Sequence, residues 1–257
     1  MSSAKSALVT GAARGIGLAT AKRFLADGYR VALLDIDGET LQRAVAALDA
    51  SERSLALTCD VAVADQVEAA VAQAKARFGS LDSLVNNAGT AVFKPALETT
   101  LAEFQRTLDV NLTGPFLMTK ACVPLMRSGA AIVNITSISG LRGSAMRVAY
   151  GTSKAALAHM TKQFALELSV RGIRVNAVAP GPVDTAMAKA VHSPAIRADY
   201  HDAIPLGRYG LEEELAEAIF FLCSERASYI TGQTLAVDGG FDAIGIGLPT
   251  FRKEQGG

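Results

Sequence analysis

Two residues in the middle of the chain could move protons. Tyr150 and Lys154 stand four apart in YGTSK (150–154), so on a helix their side chains leave the same face. An isolated phenol ionises near pH ~10 and is a poor base at neutral pH. A neighbouring ammonium favours the phenolate and draws its ionisation towards the working range. Such a pair could take a proton from an alcohol as its carbon is oxidised, or give one to the alkoxide formed when a carbonyl is reduced. Ser137, thirteen residues upstream, adds a hydroxyl. A Tyr-x-x-x-Lys pattern alone is common by chance, so its setting must carry the argument.

A second group lies near the N-terminus. The apolar run SALVT (6–10) leads into TGAARGIG (10–17) and then into a helix pattern. Gly11, Gly15 and Gly17 allow a tight turn and close approach of backbone to a pyrophosphate. Arg14 and Ile16 complete the loop, and the helix start offers free N–H groups and partial positive charge. The spacing is GxxxGxG, not the GxGxxG of the commoner dinucleotide fingerprint. Asp35 closes the next apolar run, RVALLD (30–35), eighteen residues beyond Gly17. A carboxylate there can accept from both hydroxyls of an adenosine ribose and repels a 2′-phosphate, which favours NAD over NADP. Arg14 points the other way, because a cation in the loop could pair with that phosphate.

These groups need a scaffold, and the pattern supplies one. Short β-rich runs at 6–10, 30–35, 54–60, 83–89, 130–137, 173–180 and 234–240 alternate with helical stretches at 15–27, 38–50, 63–78, 101–127, 148–170 and 212–224. That rhythm predicts βαβ units, hence an α/β fold: one Rossmann-type, doubly wound parallel sheet of about seven strands with helices on both faces. No linker or short repeat divides the chain, so one domain over 1–257 is expected. The weakly periodic stretch 184–210 is expected to be an irregular substrate lid.

In that order, TGAARGIG (10–17), NNAG (86–89), Asn111, Ser137, YGTSK (150–154) and PGPVDT (180–185) resemble the motif series of the short-chain dehydrogenase/reductase family, with a match from residue 6 to about 240. The resemblance implies an NAD(P)-dependent oxidoreductase acting on a CH–OH group. It implies that Ser137 orients the substrate oxygen and that Lys154 also holds the nicotinamide ribose. Asn111, in DVNLTG, would anchor a water chain from the lysine to solvent. Asn87, Ala88 and Gly89 would shape the cofactor pocket, and Asp60 with Val61 would meet the adenine. Pro180 and Gly181 would turn under the nicotinamide, with Val183 and Thr185 at its carboxamide. The main expectation is an NAD-linked secondary-alcohol dehydrogenase. The alternative is an NADPH-dependent carbonyl or 3-ketoacyl reductase. A non-catalytic dinucleotide sensor is disfavoured, because Tyr150 and Lys154 are both kept.

Substrate choice falls to residues 90–95, 138–147 and 184–210, which mix Leu141, Met146, Met187, Ile196 and Tyr200 with Lys94, Arg142 and Arg147. Arg147 reads either as a solvated charge or as a clamp for a carboxylate. The tail 241–257, with Ile244, Ile246, Leu248 and Phe251, is apolar enough to pack on its own or a neighbouring subunit. Half the residues are hydrophobic, mean hydropathy is +0.26, and 25 Lys+Arg balance 25 Asp+Glu. That balance offers nothing to nucleic acid or an anionic membrane, and the apolar excess suggests a homotetramer. The start of the chain lacks a signal-peptide core, which reads as cytoplasmic. Cys59, Cys122 and Cys223 are expected as buried hydrophobes, and His159, His192 and His201 as isolated. No spacing suits a metal and no GxSxG elbow supports hydrolysis.

Overall fold

The structure is a computed structural model that describes residues 4–48, 50–185, 188 and 193–255; Met187 and His192 lie outside the described residues. Seven strands form one sheet in the order β3-β2-β1-β4-β5-β6-β7: β1 (Ser6–Thr10), β2 (Arg30–Asp35), β3 (Ser54–Thr58), β4 (Leu81–Asn86), β5 (Met126–Ile135), β6 (Arg174–Pro180) and β7 (Thr234–Val237). Every pairing is parallel. Strand side chains alternate between two cores, as two-sided burial requires. Ala7, Val9, Val31 and Leu33 pack against α1 (Gly15–Ala26), α2 (Gly38–Ala46) and α8 (Glu212–Cys223). Leu8, Ala32 and Leu34 pack against α3 (Ala64–Phe78), α5 (Gly114–Cys122) and α6 (Val148–Leu168). The direction of winding reverses between β1 and β4, which opens a crevice at the carboxyl edge. All three cysteines are buried. Among the described residues, no helix is long and apolar enough to cross a membrane.

Two expectations need correction. The single helix expected over 101–127 is two, α4 (Leu101–Leu108) and α5, joined by a π-turn at Asp109–Thr113. Pro115 has no N–H for the carbonyl of Asn111, and the Asn111 side chain bonds across to other segments, so the ordinary ladder breaks there. The stretch 184–210 is not wholly irregular, for it contains α7 (Pro194–Ala203). Its start was readable: Ser193 accepts from the Ile196 N–H as N-cap, and Pro194 occupies the first turn. The tail packs on its own chain, one of its two expected placements, as a short helix, α9 (Leu248–Glu254), set against α7 with Arg252 bonded to the carbonyls of His201 and Pro205. Ile246 and Phe251 remain exposed.

Candidate active site

The loop after β1 is held by the loop after β4. Thr10 Oγ1 accepts from the N–H groups of Asn87 and Ala88, both at 3.0 Å. The Asn87 amide donates to the carbonyls of Thr10 and Gly11 at 2.9 and 3.0 Å. Gly17 is required by contact: a Cβ there would lie 2.1 Å from the Gly11 carbonyl oxygen. The first turn of α1 has no side-chain cap, so its N–H groups keep bonding capacity for an outside acceptor. Beside it, Asp35 accepts from the N–H groups of Ala13 and Asp37, each at 3.0 Å. Arg14 is ion-paired with Asp37. Asp37 also caps α2 through Thr40, and those bonds hold its carboxyl below the usual range.

The chemical end is fixed by α6. A buried chain from Asn86 to Asn134 (2.8 Å) and from Asn134 to Thr161 (2.9 Å) pins that helix to β4 and β5. Gly151, one residue after Tyr150, lets the Ser137 loop sit on the helix: a Cβ there would meet the Ser139 carbonyl oxygen at 2.8 Å. Glycine inside a helix costs about 1 kcal/mol against alanine, and this close approach is its structural reason. Ser137 is buried and accepts from the Ser139 N–H at 3.1 Å. Lys154 is 4% exposed and donates to the Ile135 carbonyl at 2.7 Å. Its Nζ lies 5.8 Å from the Tyr150 ring centroid.

The electrostatics differ from the simple expectation for a Tyr–Lys pair. Burial raises the Tyr150 phenol above its ordinary value, while a hydrogen bond with Ser137 and the charge of Arg147 pull it back. The Lys154 ammonium is aimed at a backbone carbonyl, and burial lowers it to about 8. Asn111 is fully buried in the π-turn, accepting from the Thr90 N–H at 2.8 Å and donating to the Thr90 carbonyl and Ser153 hydroxyl at 2.9 and 3.0 Å.

One cleft of about 720 Å³ gathers these parts. Its wall includes Gly11, Arg14, Gly15, Ile16, Asp35, Asp60, Val61, Asn87, Ala88 and Gly89, and then Ser137, Tyr150, Lys154, Pro180, Gly181, Val183 and Thr185. Gly17 and Asn111 stand behind that wall, the first packed under the loop and the second locked between Thr90 and Ser153. The sequence reading missed Asp37, Arg106 and Glu212, which also line the cleft. Asp37 had a signal as an acid two residues past Asp35, capping a helix. Arg106 pairs with Asp60 at 2.8 Å across 46 residues, so no local pattern marks it. Arg147 and Tyr200 line the opposite end. His159 meets Gln163 on α6 and His201 meets the Gly207 carbonyl, both away from the phenol.

Comparison with known proteins agrees with this geometry. The family described as Enoyl-(Acyl carrier protein) reductase matches residues 11–242. The chain is 40% identical to 2-(S)-hydroxypropyl-CoM dehydrogenase 3 of Xanthobacter autotrophicus, over 92% of this chain and 96% of that one. It is 42% identical to cis-4-hydroxycyclohexanecarboxylate dehydrogenase of Sinomonas cyclohexanicum, over 93% and 96%. It is 41% identical to a 3-oxoacyl-[acyl-carrier-protein] reductase of a Synechocystis species, over 92% and 96%. Among solved structures, a short-chain dehydrogenase/reductase from Brucella melitensis superimposes with TM-score 0.86 at 36% identity, covering 92% of this chain and 96% of that one. A metagenomic blue fluorescent protein in complex with NADPH also gives 0.86, at 38% identity and over 93% and 98%. The chain belongs to the short-chain dehydrogenase/reductase family, as an NAD(P)-dependent oxidoreductase that interconverts an alcohol and its ketone.

Proposed function

We propose that the chain is an NAD-linked dehydrogenase of a secondary alcohol, with Tyr150 as its general acid/base. One observation carries this: the hydroxyls of Tyr150 and Ser137 and the ammonium of Lys154 share the wall of a cleft that also bears Asp35. The uncapped start of α1 suits a pyrophosphate. Gly11, Arg14, Gly15 and Ile16 would hold it, with Gly17 supporting the turn. Asp35 would take the adenosine ribose, and Asp60 and Val61 the adenine. Asn87, Ala88, Gly89, Pro180, Gly181, Val183 and Thr185 would complete the cradle. A nicotinamide held there would supply the hydride acceptor or donor.

The protein's own groups handle the proton. Tyr150 takes it from the alcohol in oxidation and donates it in reduction, and burial favours the neutral, donating phenol. Ser137 orients the substrate oxygen. Lys154, at about 8, stays mostly cationic at neutral pH and is poised to hold the cofactor ribose. The backbone carbonyl of Asn111, which Pro115 cannot engage, offers an acceptor for a water between Lys154 and solvent.

NAD is favoured because two carboxylates, Asp35 and Asp37, stand at the ribose end and Arg14 is engaged by Asp37. The second reading, an NADPH-dependent carbonyl or 3-ketoacyl reductase, draws support from Arg14 lining the cleft and from the NADPH-bound neighbour. Dissociation constants decide: tighter binding of NAD(H) is expected, and a preference for NADP(H) above about tenfold reverses the assignment. A panel of secondary alcohols and ketones, followed by absorbance of the reduced nicotinamide, tests the reaction. Residues 184–210 are proposed as the substrate lid and 241–257 as its outer support. Homotetramer assembly is proposed from exposed apolar groups at Leu97, Leu101, Leu166 and Val170, and a cytoplasmic location goes with the sequence reading.

A further inference from the structure

We propose that Arg147 anchors a carboxylate on the substrate, so that the enzyme acts on a hydroxy acid, or its keto acid, whose carboxylate lies a few bonds from the reacting carbon. The proposal rests on the reading of Tyr150 as the acid/base and extends it to substrate class.

Arg147 is three residues before Tyr150 and lines the same cleft. Both side chains line this one cleft, so a group on Arg147 and a carbinol at Tyr150 can belong to one small molecule. The guanidinium is held in place from two sides. Its carbon lies 5.3 Å from the Phe93 ring centroid, and Nη1 donates to the Tyr200 hydroxyl at 3.1 Å. A planar fork fixed in this way suits bidentate recognition of a carboxylate.

Two further observations single out this arginine. It is the N-cap residue of α6 and makes no side-chain cap. The helix dipole opposes a cation there, so the helix does not account for it. The residue before it, Met146, has φ +60°, and among the described residues it is the one non-glycine with positive φ. Such strain is retained where a backbone path is needed for function, and here the path delivers Arg147 into the cleft.

The distribution of charge in the cleft agrees. The described acidic lining residues are Asp35 and Asp37 beside the glycine loop, Asp60 at the end of β3, and Glu212 beside Gly15. The wall around Tyr150 carries Arg147 and Lys154 and, among the described residues, no carboxylate. Asp184, a carboxylate beyond that wall, is paired with Arg197 at 2.9 Å, which offsets its charge.

The test uses matched pairs: 4-hydroxypentanoate against 4-hydroxypentanamide, and 3-hydroxybutanoate against its amide. A hydrogen bond to a charged partner is worth about 1.5–3 kcal/mol, or roughly 10- to 100-fold. The wild-type enzyme is expected to prefer acid over amide in kcat/KM by that factor for at least one pair. In Arg147→Met the ratio should fall to within about threefold of unity, and Arg147→Lys should give an intermediate ratio. The ratio is diagnostic because any effect of Arg147 on Tyr150 touches both substrates alike. NAD(H) affinity near the wild-type value shows that each variant is folded. If Arg147→Met does not fold, the wild-type and Arg147→Lys ratios decide. Wild-type ratios near one, or equal loss on acid and amide, overturn the proposal. Turnover of neutral alcohols with refusal of both acids overturns it while leaving the dehydrogenase reading intact. No turnover of any acid, amide or alcohol overturns both.

Discussion

At its glycine-loop end the cleft is built around residues at or next to strand ends, such as Gly11, Asp35 and Asn87, whereas at the end bearing Arg147 and Tyr200 it is walled by side chains that other parts of the chain must hold. Asp35 and Asn87 sit at or next to the ends of β2 and β4, and Thr10 at the end of β1, so sheet register alone brings them together. The substrate end depends on reach. Arg142 donates to the Phe241 carbonyl at 2.7 Å across 99 residues. Arg252, in the tail, donates to the carbonyls of His201, Asp202 and Pro205 at 2.9, 3.1 and 3.0 Å, capping α7. Phe241 in turn packs on Tyr200, with centroids 5.7 Å apart. One end is thus set by the sheet, and the other by a relay from tail to lid to cleft. A sheet-built site is rigid and common to many substrates. A site held by a few arginines can be retuned without disturbing the fold.

If that contrast is right, each end should fail separately. The largest effect is expected for Tyr150→Phe, which removes the proton carrier between the two. Turnover should fall by about 10²–10⁴-fold, while the NAD(H) dissociation constant measured by fluorescence stays within about twofold. Next, Gly17→Ala drives a methyl into the Gly11 carbonyl, so NAD(H) should bind at least about 30-fold more weakly, roughly 2 kcal/mol. Lid protection against limited proteolysis should be unchanged; loss of both together breaks the comparison.

Lys154→Met tests the cost of the chemistry to the fold. Burial holds Lys154 at about 8 against an ordinary 10.5, which costs the folded state about 3 kcal/mol at neutral pH. Below 8 both states are protonated and the cost is full. Between 8 and 10.5 the unfolded chain binds more protons, so stability recovers as pH rises. The variant should therefore melt several degrees higher at pH 7, less what it loses with the Ile135 bond. Its advantage should shrink towards pH 10.5 in denaturation scans. The smallest effect is expected for Arg252→Ala: KM for substrate should rise about tenfold, with NAD(H) affinity and the pH profile of turnover unchanged. A matching loss of cofactor affinity would join the two ends that the geometry separates.

How far the sequence could be read follows the same division. The strands were legible because each is a short apolar run bounded by turn residues. The glycine loop, Asp35, NNAG and the Ser137–Tyr150–Lys154 series were legible because each stands beside a strand end or within one helical turn. The π-turn at Asn111 was not, since the shift of about 100° that one extra residue makes in the apolar face does not stand out between helices of only 8 and 9 residues. Arg106 escaped for a different reason: its partner Asp60 lies on another element. Arg147 was left open between clamp and solvated charge, and its neighbours Phe93 and Tyr200 decide its surroundings only after folding.

By itself the amino-acid order determined the parallel α/β sheet, the place of the crevice and the chemical types gathered there. Those depend on periodicity and on spacings shorter than one βα unit. The tertiary structure alone decided that the Lys154 ammonium faces a carbonyl rather than the phenol, and that the tail braces α7. It alone brought an arginine at a helix start into the cleft. Such outcomes turn on where side chains from distant segments meet, and contacts across 47 to 99 residues leave no local pattern to read.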